Sequence, residues 1–368
     1  PQPLMLQSVM GAPLLAWLAN ALFDSGVGRF FLVCHDRYVE AARACLPAEA
    51  EVMTTMDSDP ADLLHVFLST AEDAEHTITV VTGPAVYLPQ LAPQAAGRFP
   101  RVYGVSREEL MQALDEHFSF ARFLLDNGSP MNEEQAMYSV ASPAELPEIA
   151  GLLQRNRLLA LARTGVEIYD ASSCYVEPSV RVAPGARLLP GTMLRGKTVI
   201  GEEAVIGPWS VIDDSVIGAR AVVNASQVRE SRVGQEAVIG PYASVRGGCE
   251  LGRSVRAGSF VELKNARLGE NTQVPHLAYL GDTEAGANCN FGCGVTTANF
   301  DRVQKHETVV GEGAFIGCNT ALIAPLQVGS GAYIGAGSTI TEDVPAQALG
   351  IARARQSNKK EWAAKHKK

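Results

Sequence analysis

Long apolar runs are missing from this 368-residue sequence. None approaches the ~20 residues that a membrane-spanning helix needs, so we expect no membrane partner. Basic residues are too few to favour nucleic-acid binding: the sequence has 31 basic and 40 acidic residues, and its formal net charge is −9. The seven cysteines are scattered and odd in number, which favours reduced thiols over a disulfide framework. No signal peptide is visible, so we expect a cytoplasmic location. Because the sequence begins with Pro1 rather than Met, it is open whether further residues precede it.

The first ~165 residues alternate strand-like and helical segments. The runs RFFLVC (29–34), EVMTT (51–55) and TITVVTG (77–83) read as buried strands. Amphipathic spacings of three and four lie between them, and two capping-box spacings follow, Ser106 with Glu109 and Ser142 with Glu145. Strands and helices in alternation predict a three-layer α/β domain.

From about residue 175 the period changes to six. Aliphatic residues recur without a slip from Val233 to Leu263 and again from Val310 to Ile340, and a glycine often follows them. Five-residue steps, such as Leu263 to Leu268, interrupt the period. A hexapeptide repeat of this kind indicates a parallel β-helix with one aliphatic residue per hexad pointing inward.

A candidate site lies within these repeats. With three hexads per coil, Arg246 and Lys264, eighteen residues apart, should stack about 4.8 Å apart on one face. Two stacked cations favour a phosphate between or beside them, although solvated surface charges are the alternative. Glu262 lies on the same side as Lys264 by strand alternation. His276, with Tyr279 close by, is suited to accept a proton from an amine, and a structural histidine is the alternative.

The stretch VRGG…FVELKNARLG…HLAYLGDTEAGANCNFGCGVTTANFD…GEGAFIGCNTALIAPLQVG…YIGAGSTITEDV resembles one enzyme family over roughly residues 175–356. The family is the bacterial bifunctional N-acetylglucosamine-1-phosphate uridylyltransferase and glucosamine-1-phosphate N-acetyltransferase. The resemblance implies a left-handed β-helix, a homotrimer with sites between subunits, and acetyl-CoA as cosubstrate. It also implies roles: His276 as general base with Glu262 as its partner, and Arg246, Lys264, Tyr279, Asn290 and Lys305 as ligands of the sugar phosphate.

The same resemblance implies an acetyl-CoA groove, formed by Cys293, Asn299, Phe300, Cys318, Ala336 and Arg353. The sequence departs from the family here. Phe300 and Arg302 replace a tyrosine and a glycine, and two small groove residues have become Cys293 and Cys318. A zinc site on Cys289, Cys293 and Cys318 is a weak alternative, and we predict no metal there.

The amino-terminal part matches the uridylyltransferase half of the family poorly. GAPL at 11–14 corresponds to the family's GKPM, but no glycine-rich phosphate loop precedes it and Leu4 stands where a lysine belongs. MDSDPAD at 56–62 replaces the base-binding stretch, and Pro84 replaces the metal-binding aspartate. Without a phosphate cradle or a Mg²⁺ ligand, nucleotidyl transfer has little left to stabilise its charge.

These observations predict a reduced, Rossmann-like nucleotidyltransferase domain at 1–165, a left-handed β-helix acetyltransferase domain at 166–356, and a basic tail at 357–368. We expect an N-acetyltransferase acting on glucosamine-1-phosphate, with an inactive first domain and Mg²⁺ only if that domain is active. Two alternatives remain: the full bifunctional enzyme with part of its first domain outside this sequence, and a non-catalytic scaffold. The tail beyond Arg353 either reaches the CoA phosphates or is solvated.

Overall fold

The computed structural model describes residues 2–56, 60–70, 77–91, 102–116, 120–131 and 136–366. The chain divides into two compact units. The first consists of Pro1–Arg181 with Leu194–Lys197, and the second of Val182–Met193 with Thr198–Lys368. The domain bounds inferred from the sequence remain a prediction.

The first unit mixes short strands with helices. Its described helices are α1 (Leu14–Asp24), α2 (Val39–Arg43), α3 (Ala61–Ser69), α4 (Arg107–Asp115), α5 (Phe120–Asn127) and α6 (Leu146–Arg163), with 3₁₀ turns at Leu4–Leu6, Asp36–Tyr38 and Pro143–Glu145. Its first nine strands are β1 (Ser8–Val9), β2 (Ala12–Pro13), β3 (Arg29–Val33), β4 (Glu51–Thr55), β5 (Thr77–Val81), β6 (Ala85–Tyr87), β7 (Val102–Ser106), β8 (Ser129–Pro130) and β9 (Met137–Ser139).

The three predicted strands of this unit are present, as β3, β4 and β5, and its α/β character is confirmed. They do not share one sheet in the described residues, because β3 pairs with β4 in parallel whereas β5 pairs with β7 antiparallel. Ser106 caps α4 by accepting a hydrogen bond from the Glu109 amide at 3.5 Å. The second predicted cap is wrong, since a 3₁₀ turn follows Ser142 and its side chain makes no capping bond.

The rest of the chain forms very short strands. They are β10 (Glu167–Ile168), β11 (Tyr175–Val176), β12 (Arg181–Val182), β13 (Arg187–Leu188), β14 (Met193–Arg195), β15 (Val199–Ile200), β16 (Val205–Ile206), β17 (Val211–Asp213), β18 (Val216–Ile217), β19 (Val222–Val223), β20 (Gln227–Arg229), β21 (Arg232–Val233), β22 (Val238–Ile239), β23 (Ser244–Arg246), β24 (Glu250–Leu251), β25 (Arg256–Ser259), β26 (Glu262–Leu268), β27 (Gln273–His276), β28 (Tyr279–Ala285), β29 (Asn290–Phe291), β30 (Thr296–Ala298), β31 (Thr308–Val310), β32 (Phe315–Ile316), β33 (Ala321–Ile323), β34 (Leu326–Val328), β35 (Tyr333–Ile334), β36 (Thr339–Ile340) and β37 (Leu349–Gly350), and a short helix, α7 (Trp362–Lys365), follows.

In the second unit these strands wind into the predicted left-handed parallel β-helix. Three faces result. The first face stacks β22, β25, β27, β29, β32 and β35; the second stacks β20, β23, β26, β28, β30 and β33; the third includes β21, β24, β31 and β34. The predicted inward residues are buried, among them Val245, Leu263, Ile316 and Ile334. The hexapeptide register inferred from the sequence is therefore confirmed.

Coil length varies where the hexads are broken. Regular coils pair residues eighteen apart, as Ser244 does with Glu262, and the five-residue step at Leu263–Leu268 shortens the next coil, so that Glu262 pairs with Tyr279. One coil is much longer: Asn290 pairs with Phe315, and the inserted residues form a loop at 299–306.

Close coil spacing explains the repeated glycines. A Cβ at Gly252 would lie 2.8 Å from the backbone nitrogen of Glu270, and one at Gly269 would lie 2.5 Å from that of Ala287. Buried hydroxyls stabilise the coils in a second way: Ser215 Oγ accepts a hydrogen bond from the Ser231 amide at 3.1 Å, and Ser231 Oγ accepts one from the Cys249 amide at 3.2 Å. These bonds satisfy backbone groups that would otherwise be buried without partners.

No helix within the described ranges is both long and apolar enough to cross a membrane.

Candidate active site

Two basic residues stand side by side on the second face. β23 and β26 pair in register, with Arg246 opposite Lys264 and Ser244 opposite Glu262. The predicted stacking of the two cations on neighbouring coils is therefore confirmed. The Arg246 guanidinium forms an ion pair with the Glu262 carboxylate, and both side chains are about 40% exposed (41% and 40%). Lys264 is half-buried beside them.

A third cation reaches the same place from the inserted loop. A side-chain hydrogen bond with Lys305 and the repulsion by its charge lower the pKa of Lys264. Desolvation and the charge of Arg246 lower that pKa further, whereas the Asp282 carboxylate raises it. Three cations held this close are suited to binding a multiply charged anion such as a phosphate ester, which would relieve their repulsion.

Asp282 ties the inserted loop to the body of the β-helix. Its Oδ1 accepts a hydrogen bond from Nδ2 of Asn265 at 2.7 Å, and its Oδ2 accepts one from Nδ2 of Asn299 at 2.5 Å. Asn299 is buried, and its carbonyl accepts a hydrogen bond from the His306 amide at 2.8 Å. Asp282 was not among the residues predicted from the sequence, although its partners Asn265 and Asn299 lie 17 residues before and after it.

Asp301 fixes the tip of the same loop. Its Oδ1 accepts hydrogen bonds from the amides of Val303 and Gln304, both at 2.8 Å, and its Oδ2 lies 2.7 Å from Nε2 of His306. The Gln304 amide, then the His306 ring and the Val303 amide hold the pKa of Asp301 well below its usual range. Asp301 was not predicted from the sequence either. The signal that could have identified it is a common one, an Asp whose carboxylate caps the amides two and three residues later in a turn.

The predicted base lies at the foot of a ladder of stacked positions along one edge of the first face. Ser259 pairs with His276, and the pairs Gln273–Asn290, Asn290–Phe315 and Phe315–Tyr333 carry the register upward. The ladder consists of the residues three positions after Gln273, Asn290, Phe315 and Tyr333. They are His276, Cys293, Cys318 and Ala336, and all four are exposed. Arg353 extends the ladder, because its Cδ would lie 3.7 Å from a Cβ at Gly337.

The ladder and the cation cluster flank the same edge of the β-helix. Residues 277 and 278 separate His276 from Tyr279, which stacks on Glu262 at the start of the second face. The tyrosine hydroxyl covers Gly281, since a Cβ there would lie 2.4 Å from it and 2.7 Å from Nδ2 of Asn299. An imidazole, a phenol hydroxyl and three cations are thus placed around one edge.

Two predicted residues are not where their expected roles require them. Asn290 is on the first face between Gln273 and Phe315, away from the cations of the second face. Glu262 pairs with Arg246, and within the described part of the chain no hydrogen bond or ion pair joins it to His276. The roles assigned to both residues remain predictions.

The groove residues differ in exposure. Asn299 is buried beside Asp282, whereas Phe300 is 61% exposed at the base of the loop and its backbone bridges to Lys305. Cys289 is buried and its thiol donates to the Gly311 carbonyl at 3.1 Å, while Cys293 and Cys318 are exposed. Among the residues that the structure describes, no group of three or more His, Cys, Asp or Glu side chains is arranged to hold a metal ion.

The hexapeptide coils define the class of this unit. The model of the family described as bacterial transferase hexapeptide (six repeats) matches residues 307–342, which lie inside the β-helix. Among solved structures, the UDP-N-acetylglucosamine acyltransferase of Francisella novicida covers 50% of this chain and 66% of its own, at 19% identity and a TM-score of 0.31.

Within that class the chain is similar to the bifunctional protein GlmU. It is 43% identical over 221 residues to the protein from Brevibacillus brevis, which is 60% of this chain and 48% of the relative. It is 48% identical over 203 residues to the one from Caldicellulosiruptor saccharolyticus, which is 55% of this chain and 44% of the relative. The resemblance inferred from the sequence is confirmed for the carboxyl-terminal half. The chain spans about half the length of the curated relatives it matches.

Proposed function

We propose that the chain is an acetyl-CoA-dependent N-acetyltransferase that converts glucosamine-1-phosphate to N-acetylglucosamine-1-phosphate, a step toward UDP-N-acetylglucosamine and cell-wall precursors. The observation that carries the proposal is the convergence of Arg246, Lys264 and Lys305 beside the edge that bears His276. The similarity of this half to the bifunctional protein GlmU supports it. Acetyl-CoA and reduced thiols both suit a cytoplasmic location.

The proposed reaction is direct acyl transfer. The cation cluster binds the phosphate, and the 2-amino group attacks the thioester carbonyl while His276 accepts its proton. The new C–N bond forms first and gives a tetrahedral oxyanion; the C–S bond breaks as that adduct collapses, and the CoA thiolate leaves and takes up a proton. Backbone N–H groups would stabilise the oxyanion. Acetyl-CoA runs along the ladder above His276, past Cys293, Cys318 and Ala336, with Arg353 available for its phosphates.

A homotrimer with its sites between subunits suits this distribution of residues. The cations and Tyr279 occupy the second face, whereas Asn290 occupies the first. In a trimer of parallel prisms, different faces of neighbouring copies border one cleft. Asn290 would then contact the sugar bound at the second face of another copy.

We further propose that the first unit is a degenerate uridylyltransferase. Leu4, in place of the lysine, packs against the apolar cluster around Leu14 and Trp17. Gly11 of the GAPL segment is packed closely too, because a Cβ there would lie 2.4 Å from Oε1 of Glu177. Pro84, in place of the aspartate, offers no side-chain ligand to Mg²⁺. Residues 57–59 of the altered base-binding stretch lie outside the described residues.

Two assays on the purified chain test the proposal. CoA release is followed with glucosamine-1-phosphate and acetyl-CoA, and pyrophosphate release is followed with UTP and N-acetylglucosamine-1-phosphate in the presence of Mg²⁺. We expect CoA release alone. Release of both products would indicate the full bifunctional enzyme, and release of neither would indicate a non-catalytic scaffold.

A further inference from the structure

Two exposed cysteines occupy equivalent positions on consecutive coils. Asn290 and Phe291 pair in register with Phe315 and Ile316, and Cys293 and Cys318 each lie two residues beyond those pairs. The Cys293 carbonyl accepts a hydrogen bond from the Asn319 amide at 2.8 Å, which keeps the two coils in contact at this point. Lateral neighbours in stacked strands are about 4.8 Å apart. That separation lies within the Cα–Cα span of a disulfide, about 4.4–6.8 Å.

The side chain of Cys318 lies against the preceding coil. Its Sγ would be 2.9 Å from a Cβ at Gly292, the residue before Cys293. Gly292 has no side chain that could obstruct this thiol. Both residues are free and exposed.

The other cysteines are protected. Cys45, Cys174, Cys249 and Cys289 are buried, and burial raises the thiol pKa of Cys45, Cys249 and Cys289. Cys34 is half-buried and burial raises its pKa too. Because the thiolate is the reactive form, these groups should react slowly with a thiol-specific oxidant.

We propose that Cys293 and Cys318 form a redox-active dithiol that reacts with low-molecular-weight disulfides of the glutathione type. The thiolate of one cysteine attacks the disulfide RS–SR, which forms a mixed disulfide and releases RS⁻. The second thiolate then attacks the protein sulfur of that mixed disulfide, which forms the Cys293–Cys318 bond and releases another RS⁻. The protein loses two electrons and two protons, and the low-molecular-weight disulfide becomes two thiols.

On the proposed function, this reaction would control the acetyl-CoA groove. His276, Cys293 and Cys318 follow one another on the ladder, so a disulfide would replace two free, exposed thiols on the groove wall above the base. The chemistry of the dithiol itself requires no catalytic role for any of these residues. Failure of the dithiol proposal is therefore distinguishable from failure of the proposed function.

The experiment uses the reduced full-length chain and oxidised glutathione. Intact-mass measurement and peptide mapping without reductant should show the loss of two hydrogen atoms, a Cys293–Cys318 cross-linked peptide and no retained glutathione. Cys293→Ala and Cys318→Ser, which cannot close the ring, should each retain one glutathione on the remaining thiol. A Cys34→Ser variant is the matched control and should cross-link like the wild type.

Three outcomes would overturn the dithiol: glutathione retained on either thiol of the wild type, cross-linking through another cysteine, or no reaction of the wild type and of both single variants. Acetyl transfer is then measured with and without oxidant. In the wild type we expect the oxidant to lower the rate of acetyl transfer and dithiothreitol to restore it. A double variant that combines Cys293→Ala with Cys318→Ser should show no oxidant effect relative to its own untreated rate. Cross-linking with unchanged acetylation would overturn only the groove assignment, and absence of acetylation in the reduced chain would overturn only the proposed function.

Discussion

Replacing His276 with alanine separates a general base from a structural histidine. The side chain is exposed at the foot of the ladder and, within the described residues, forms no hydrogen bond or ion pair with Glu262. Surface substitutions of this kind usually change the free energy of unfolding by at most about 0.5 kcal/mol. The melting temperature should therefore hardly change.

Activity should respond very differently. General-base assistance contributes about 10²–10⁴-fold to the rate. At 1.36 kcal/mol per tenfold change, this corresponds to about 3–5 kcal/mol of transition-state stabilisation. We expect kcat for CoA release to fall by that factor, while KM for acetyl-CoA changes little because the rest of the ladder is intact.

The assay is steady-state CoA release with glucosamine-1-phosphate, run alongside thermal unfolding of the same samples. His65→Ala is the matched control, because His65 lies on α3 in the first unit and contacts Asp115 at 3.1 Å. That variant should acetylate at the wild-type rate. A His276→Ala variant with near-wild-type kcat would refute the mechanism, as would a loss of activity that merely follows a fall in melting temperature.

Four further outcomes test other parts of the proposal. Arg246→Ala should raise the KM for the sugar phosphate about 10–100-fold, because a hydrogen bond to a charged group contributes about 1.5–3 kcal/mol; exposed Arg229→Ala is the control, and an unchanged KM would contradict the phosphate site. Asp301→Asn should raise the same KM by releasing the loop that carries Lys305. The pKa of Asp301 in the folded state is depressed, so its stabilisation of the loop is present above the unfolded pKa of about 4 and is lost as the pH falls through the folded pKa. A difference in KM between wild type and variant that disappears between pH 7 and pH 6 would contradict this role. The mass in solution should be near three times 39.2 kDa, and an active monomer would exclude the trimer. UTP should yield no pyrophosphate, and robust uridylyl transfer would show that the first unit is functional.

The hexapeptide period made the β-helix predictable down to single residues. An aliphatic residue every six positions can point inward on every face only if the coils stay in register, and Val245 and Leu263 are buried as that rule requires. The same arithmetic placed Arg246 opposite Lys264. These features depend on local spacing, which a sequence states directly.

Contacts across an irregular coil were not predictable in this way. Lys305 reaches Lys264 because an inserted loop returns along the second face, and nothing in the local spacing specifies how far it returns. Asp282 was missed for a different reason: its two amide partners lie 17 residues away on either side, but coil spacing does not specify which polar side chains on neighbouring coils form hydrogen bonds. In the first unit, β3, β4 and β5 were predictable from apolar runs, but their pairing was not, because alternation of strands and helices does not determine which strands are neighbours.

Lys305 and the contacts of Asp282 lie where the period of the β-helix fails, whereas Arg246 and Lys264 stack on a regular coil. Coils of constant length place corresponding positions directly above one another along each face. That regularity is broken on either side of Asp282, by the five-residue step from Leu263 to Leu268 before it and by the insertion at 299–306 after it. Asp282 joins Asn265, which lies within the five-residue step, to Asn299, the first residue of the insertion, and the loop carries Lys305 back to Lys264. Deleting residues 300–306, which shortens the 25-residue step from Asn290 to Phe315 to the regular 18, should therefore preserve the β-helix while removing one cation from the cluster. Circular dichroism should stay unchanged and the KM for the sugar phosphate should rise. Loss of the folded state in this deletion would show instead that the inserted loop is part of the core of the coil.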